Sequence, residues 1–138
     1  MQTHIKSLNT KLPFTQAVRC GDFVYVSGQA SVDPVTGEIR AGTLAEEMTL
    51  SFQNLRAVLD SADARWSQIV KTNCFLRKET DLAEYNQLYS QFFQDPFPAR
   101  TTVTNCLPPV ILFEVDCVAL LRSQTRVSSG LTRPTNII

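Results

Sequence analysis

The chain has 138 residues, of which 43% are hydrophobic and 19% are charged. Such a chain is long enough for one domain with a buried core, and its composition is not that of a disordered protein. Its 13 Lys and Arg residues balance 13 Asp and Glu residues, which disfavours nucleic acid as a partner because proteins that neutralise many phosphates carry a basic excess. No apolar run approaches the length of a membrane span, and the first residues lack the apolar stretch of a signal peptide. We therefore expect a soluble, cytoplasmic protein with no membrane partner.

The N-terminal half of the sequence predicts a pair of strands followed by a helix. Residues 16–28 contain two short runs rich in β-branched and aromatic side chains, and Asp-Pro-Val-Thr-Gly at residues 33–37 is a turn signal. Residues 43–64 predict the first helix, because Thr43 and Glu46 have the spacing of a capping box. The apolar residues that follow at helical intervals are Leu44, Met48, Phe52, Leu55, Val58, Leu59 and Ala62.

The C-terminal half adds three strands and a second helix. We predict strands at residues 69–76, 100–105 and 110–121, and a helix at residues 82–93. The face of the first of these strands that is predicted to be buried carries Val70, Cys74 and Leu76. The order ββαβαββ predicts an α+β fold in which a mixed β-sheet has two helices packed on one face. Apolar residues occupy both faces of residues 110–121, so we expect another subunit to cover the second face of the sheet.

The composition changes after Arg122. Residues 123–138 are rich in Ser, Thr and Arg and show no hydrophobic periodicity. We therefore divide the chain into a single domain at residues 1–122 and a C-terminal extension at residues 123–138.

The four cysteines, Cys20, Cys74, Cys106 and Cys117, are widely separated. Their spacing excludes a CxxC zinc or redox site, and the apolar, strand-like segments around them favour buried structural thiols. The single histidine, His4, lies in a predicted N-terminal arm, which disfavours a Cys–His mechanism. We predict no metal site.

Glu114 is the first candidate for chemistry. Strand alternation places its side chain on the same face as Val118 and Leu120, with Asp116 between them. A carboxylate among such neighbours is costly to bury without a partner. A partly solvated face or a structural salt bridge explains the pattern as well as a functional site does.

Arg100 is the second candidate. It opens a predicted strand after the Pro-rich turn Pro96-Phe97-Pro98. On the pattern alone, a surface ion pair is the simpler explanation. The functional alternative is a guanidinium fork that grips a substrate carboxylate in two places, a contact that contributes ~1.5–3 kcal/mol.

Short segments throughout residues 11–122 resemble the RidA family, also called YjgF or L-PSP. Ser27-Gly28-Gln29 resembles the end of its V-S-G-Q strand, and Pro98-Ala99-Arg100-Thr101 and Phe113-Glu114-Val115 resemble its two signature strands. The other segments that carry the resemblance are residues 33–38, 53–59, 70–76 and 85–89. All of them occur in order and at compatible spacing.

The resemblance implies a chorismate-mutase-like fold of the bacillus type and a homotrimer with clefts between its subunits. It also implies a deaminase that hydrolyses reactive enamines and imines, such as 2-aminoacrylate and 2-iminopropanoate, to 2-keto acids and ammonia without a metal or organic cofactor. In such a site Arg100 would clamp the substrate carboxylate, and Glu114 would position or activate the attacking water. Ser27 and Asn86 match polar family positions near the cleft, and the backbone at Thr102 would hydrogen-bond the imine or its product.

Three departures from the family pattern bear on activity. Phe14, in Leu12-Pro13-Phe14, stands where the family commonly has the tyrosine of Gly-Pro-Tyr. One hydrogen bond contributes ~0.5–1.5 kcal/mol, so loss of the hydroxyl would lower activity by up to about tenfold. Alternatively, Phe14 makes a more apolar pocket that accepts a larger imino acid. Thr102 replaces a cysteine often found there, which changes little if only its backbone is used. Residues 123–138 have no counterpart in the typical short member of the family. This extension could close the cleft or alter the assembly of the subunits.

Two other functions stay open. A non-catalytic or pathway-specialised member of the family would bind small carboxylates or a protein partner. An endoribonuclease is disfavoured by the zero net charge, the absence of a catalytic histidine and the lack of an aromatic–basic platform for bases.

Overall fold

The structure, a computed structural model, describes residues 2–6 and 12–122. The strands are β1 (Gln2–Ile5), β2 (Ala17–Cys20), β3 (Phe23–Ala30), β4 (Ile69–Leu76), β5 (Ala99–Val103) and β6 (Phe113–Leu120), and the α-helices are α1 (Leu44–Ser61) and α2 (Leu82–Phe92). The strands form one sheet in the order β1-β2-β3-β6-β4-β5. Strands β4 and β5 are parallel, and the other neighbouring pairs are antiparallel. The mixed α+β sheet is as predicted, and the C-terminal extension at 123–138 lies outside the described residues.

Helix α1 begins at the predicted capping box. The hydroxyl of Thr43 accepts a hydrogen bond from the backbone N–H of Glu46 at 3.2 Å, and the Glu46 carboxylate accepts one from the N–H of Thr43 at 3.0 Å. Two otherwise unpaired N–H groups are satisfied in this way, which fixes the first turn. The predicted apolar stripe faces the sheet, with Leu44, Met48, Phe52, Leu55 and Leu59 buried.

Aromatic packing joins the two helices to the sheet. The ring of Phe52 in α1 contacts the rings of Trp66, Tyr89, Phe92, Phe93 and Phe113 at centroid separations of 4.5–6.2 Å. Aromatic pairs at such separations stabilise a core beyond their buried area. The cluster therefore fixes the position of α2 over β4 and β6. Side chains of α2 also contact Arg100.

Two details differ from the prediction. The N-terminal arm that contains His4 is strand β1, which pairs antiparallel with β2, so the order is βββαβαββ. Val70 is exposed, whereas Ile69 and Thr72 are buried. The register of β4 against β6 shifts between Ile69 and Lys71, and this irregularity turns Val70 away from the helices. Neither α-helix in the described part of the chain is long and apolar enough to cross a membrane.

The two faces of the sheet differ in cover. One face lies under the helices, and its buried side chains include Val24, Val26, Cys74, Val115 and Cys117. On the opposite face Phe23 and Tyr25 are 40% and 50% exposed, and their strand partners Leu120 and Val118 are half-buried. This second face therefore carries an exposed apolar patch, and no helix lies over it within the described residues.

Candidate functional site

Arg100 is held on the helix side of the sheet by side chains of α2. It lies on β5 beside the buried Thr72 of β4. Its Nη2 donates a hydrogen bond to Oδ1 of Asn86 at 2.7 Å, and its Cζ lies 4.9 Å and 4.7 Å from the ring centres of Tyr85 and Tyr89. These contacts fix the plane of the guanidinium, since a cation over an aromatic ring is attracted to its face.

Arg100 forms no ion pair with another described residue. A guanidinium has five N–H donors in a rigid fork, and Asn86 uses one of them. The remaining donors suit an external carboxylate, which accepts two parallel hydrogen bonds from such a fork. The predicted surface ion pair is therefore absent among residues 2–6 and 12–122.

The two tyrosines that support Arg100 are neutral phenols. The Tyr85 hydroxyl lies 2.7 Å from Oγ1 of Thr102, and the Tyr89 hydroxyl lies 2.8 Å from Oγ1 of Thr72. Burial raises the pKa of both phenols far above neutral pH. They therefore serve as a rigid platform for the guanidinium, and the Thr102 side chain is engaged in holding that platform.

Glu114 lies on the opposite face of the sheet. It alternates with the buried Phe113 and Val115 along β6. Burial raises the pKa of the Glu114 carboxyl, and the nearby Asp116 carboxylate raises it further. Asp116 is itself held by Nδ2 of Asn73, which donates to its Oδ1 at 2.7 Å. A carboxylate with a raised pKa holds a proton more strongly, which suits it to proton transfer at neutral pH.

Glycine at position 28 leaves room for the Glu114 side chain. A Cβ atom at Gly28 would lie 2.3 Å from Oε1 of Glu114. The neighbouring Ser27 donates a hydrogen bond from its hydroxyl to the Thr15 carbonyl at 2.5 Å, and its N–H donates to the Gln16 carbonyl. Ser27 thus ties the segment before β2 to β3, and this segment carries Phe14.

Phe14 and Glu114 line the same cavity. The cavity has a volume of about 390 Å³ and lies between the segment before β2, the end of β3 and one side of α1. Phe14 is 47% exposed at its rim. The predicted site residues thus form two groups. The first group is Arg100, Asn86 and Thr102, and the second group is Glu114, Phe14 and Ser27.

One chain does not bring Arg100 and Glu114 together. Arg100 pairs in the sheet with Thr72, which also pairs with the buried Cys117, so all three lie on the helix side. Glu114 pairs with Phe75 on the other side. Side chains of residues paired across strands point to the same face of a sheet. A ligand that contacts both groups therefore requires more than the single chain.

The two buried cysteines, Cys74 and Cys117, are unsuited to nucleophilic catalysis. Burial raises the pKa of Cys74 to about 11 and that of Cys117 to about 12, and a thiol is nucleophilic as the thiolate. Cys20 is exposed and Cys106 is half-buried, so the prediction of buried structural thiols is wrong for Cys20. No cluster of three or more His, Cys, Asp or Glu residues that could hold a metal ion occurs in the described ranges.

Comparison with known proteins identifies the family. A family model described as Endoribonuclease L-PSP matches residues 4–121. The chain belongs to the RidA (YjgF, L-PSP) family. Among RidA-family relatives, a RutC family protein of Pyrococcus abyssi is 36% identical over 108 residues, which are 78% of this chain and 85% of the relative. A 2-iminobutanoate/2-iminopropanoate deaminase of Dermatophagoides farinae is 36% identical over 110 residues, 79% of this chain and 86% of that protein.

Solved structures of RidA-family proteins share the fold. The crystal structure of E. coli TdcF with bound serine has a TM-score of 0.74 at 32% identity, and the match covers 86% of this chain and 94% of TdcF. RidA from an Antarctic Psychrobacter has the same TM-score at 30% identity, with 83% and 94% covered. The chorismate-mutase-like α+β fold is therefore confirmed.

The sequence patterns missed the two tyrosines as part of the site. Tyr85 and Tyr89 are buried on the second helix, so the pattern explains them as core residues. Their spacing gives the missing signal, because residues i and i+4 of a helix lie on one face. Asn86 lies three residues before Tyr89, so this side of the helix presents two rings and an amide to β5.

Proposed function

We propose that this protein is an enamine and imine deaminase. An enamine such as 2-aminoacrylate tautomerises to the imine, and water then adds to the imine carbon. The products of one imine and one water are a 2-keto acid and ammonia, so the reaction needs no redox partner. A relative named 2-iminobutanoate/2-iminopropanoate deaminase, 36% identical to this chain, supports the reaction class.

The position of Arg100 is the observation that carries the proposal. Its guanidinium is fixed by two aromatic rings and one amide, and no carboxylate among the described residues pairs with it. A rigid, unpaired fork is prepared for the carboxylate that every 2-imino acid carries. Asn86 acts through Arg100 by holding one of its nitrogens.

Glu114 completes the chemistry in this proposal. Its carboxylate would accept a proton from the water that attacks the imine carbon and return a proton to the departing nitrogen. Because the imine is already prone to hydrolysis, orientation of water and substrate supplies most of the acceleration. The protonated Tyr85 and Tyr89 are excluded from the base role by their raised pKa.

The complete site would lie between subunits of a homotrimer. Arg100 and Glu114 point to opposite faces of one sheet, so a cleft between two chains is the simplest way to unite them. The uncovered apolar face supports such an assembly. The apolar side chains on this face include Phe23, Tyr25, Phe75, Val118 and Leu120.

The test couples the protein to a dehydratase that generates 2-aminoacrylate from serine. The expected result is faster release of 2-keto acid and ammonia than the spontaneous rate. Arg100→Ala should lower kcat/KM by roughly 10- to 150-fold, the equivalent of ~1.5–3 kcal/mol for a charge-assisted contact. Arg100→Lys is the matched control, since it keeps the charge and removes the fork. A folded Arg100→Ala protein with full activity would refute the clamp.

The same assay separates the alternatives. Binding of small carboxylates with no acceleration for any imine would indicate a non-catalytic or pathway-specialised member of the family. The family model carries the name endoribonuclease, so RNA cleavage is measured in parallel. Cleavage that persists through purification and disappears in Glu114→Gln would replace the deaminase proposal. The equal numbers of acidic and basic residues favour the deaminase.

A further inference from the structure

The cavity beside Glu114 has an apolar wall. The side chains that form this wall are Leu12, Phe14, Ala30, Val32, Ala57 and Val58. The wall comes from three separate parts of the chain: the segment before β2, the end of β3 and helix α1. Two carboxylates also line the cavity, and one of them, Asp33, is already paired with Arg40. An apolar surface with only the Glu114 carboxyl unpaired favours a ligand whose greater part is hydrocarbon.

The polar side chains around the cavity are already bonded within the chain. Nδ2 of Asn54 donates to the carbonyls of Ala30 and Val32, at 3.2 Å and 2.8 Å. Nε2 of Gln29 donates to Oε1 of Gln16 at 2.8 Å. The side-chain carboxyl of Glu114 has no hydrogen bond to another described residue. The cavity thus offers one free carboxylate for chemistry and otherwise apolar contacts.

We infer that the substrates of this protein are 2-imino acids with large, apolar side chains. The inference rests on the proposed deaminase function and on Glu114 standing next to the reacting carbon. The substrate carboxylate is repelled by Glu114 and attracted to Arg100, so the side chain is the part that enters the cavity beside Glu114. A single methyl group would leave most of the ~390 Å³ to water.

The size of the effect follows from the apolar area that is buried. Each CH₂ group moved from water into an apolar site contributes ~0.8 kcal/mol, which is about fourfold in kcat/KM. The imine derived from leucine has three more carbon atoms than the imine derived from alanine. We expect its kcat/KM to be higher by at least about tenfold, since the rim of the cavity is open and burial is incomplete.

The test uses both imines, generated in place by an amino-acid oxidase from leucine and from alanine. Release of each 2-keto acid is measured against the spontaneous rate. Ala57→Leu places a larger side chain in the cavity and is expected to lower kcat/KM about tenfold more for the leucine imine than for the alanine imine. Ala45→Leu is the matched control, because Ala45 lies on the same helix, is exposed and does not line this cavity. Phe14→Ala removes part of the wall without changing a helix and is expected to reduce the same preference.

Each outcome has a distinct meaning. Preference for the leucine imine that Ala57→Leu and Phe14→Ala both reduce supports the inference. Equal rates for the two imines, or preference for the alanine imine, overturns the inference and leaves the deaminase function intact. Acceleration of neither imine overturns the deaminase function and the inference with it.

Discussion

Arg100 and Glu114 are supported in different ways. Side chains fix Arg100, with two rings under its guanidinium and an amide on one nitrogen. Backbone geometry makes room for Glu114, since only the missing Cβ of Gly28 leaves space for its carboxylate. In the proposed site, the Arg100 group binds the charge of the substrate carboxylate, and the Glu114 group holds a carboxyl whose pKa is raised by burial. Changes near Arg100 should act mainly on KM, and changes near Glu114 should act mainly on kcat.

The largest effect is expected for Glu114→Gln. The amide keeps the shape of the side chain and cannot take a proton from water, so kcat should fall by roughly a hundredfold or more, with KM nearly unchanged.

The same substitution, Glu114→Gln, should raise the stability of the fold at neutral pH. Folding raises the pKa of Glu114 above that of the unfolded chain. The protonated carboxyl therefore contributes to the stability of the fold at low pH, and this contribution is lost as the pH rises through the folded-state pKa. The variant should therefore have a higher Tm than the parent at pH 7 and an equal Tm near pH 3. A lower Tm at pH 7 would show that Glu114 is a stabilising residue.

Gly28→Ala tests the space around Glu114 without altering the carboxyl group. The new Cβ would approach Oε1 within 2.3 Å, so the Glu114 side chain must move. We expect kcat to fall by about tenfold, because a reacting group that is displaced by a fraction of an ångström no longer has the geometry that the reaction needs. The far-UV circular dichroism and the Tm of the variant are the control for damage to β3. Unchanged kcat in Gly28→Ala would mean that the position of Glu114 is unimportant.

Asn86→Ala removes the hydrogen bond to Arg100 and leaves both rings in place. One lost hydrogen bond corresponds to ~0.5–1.5 kcal/mol, so KM should rise by about 2- to 12-fold. Asn86→Asp is the companion variant. A carboxylate at this position would pair with Arg100 and compete with the substrate carboxylate. A fall in kcat with constant KM in Asn86→Ala would contradict the division between the two groups.

The smallest effect is expected for Asp116→Asn. Asp116 is the second cause of the raised pKa of Glu114, after burial. In the proposed mechanism, activity needs the ionised Glu114 carboxylate and declines as the pH falls through this pKa. Removing the neighbouring charge lowers the pKa, so the acid limb of the profile should move to lower pH while the maximal rate is kept. Asp22→Asn, on the loop between β2 and β3, is a control of equal charge change. A shift to higher pH, or none, would exclude coupling of the two carboxyls.

Local sequence signals predicted the elements well. The capping box at Thr43 and the apolar stripe of α1 are in the structure as predicted, because both depend on contacts within a few residues. Alternation in β6 correctly put Glu114 and Asp116 on one face, away from the helices. Short-range chemistry is sufficient for such features.

Features that depend on strand pairing were not predictable in the same way. Strand β1 is stable only through pairing with β2, so its four residues carry no strong signal of their own. Val70 was assigned to the wrong face because the shift in register lies in the pairing of β4 with β6. The separation of Arg100 from Glu114 across the sheet also arises from register, since two positions 14 residues apart in sequence can lie on either face.

We propose that a working site combines Arg100 of one chain with Glu114 of another. This proposal is tested by unfolding and refolding Arg100→Ala and Glu114→Gln chains together in equal amounts and measuring deaminase activity. Random assembly of a closed ring should give intact pairs in about a quarter of the clefts, so activity should return to roughly a quarter of the parent value. Parent chains refolded alone serve as the reference. A mixture no more active than the average of the two variants refolded separately would contradict a site shared between chains.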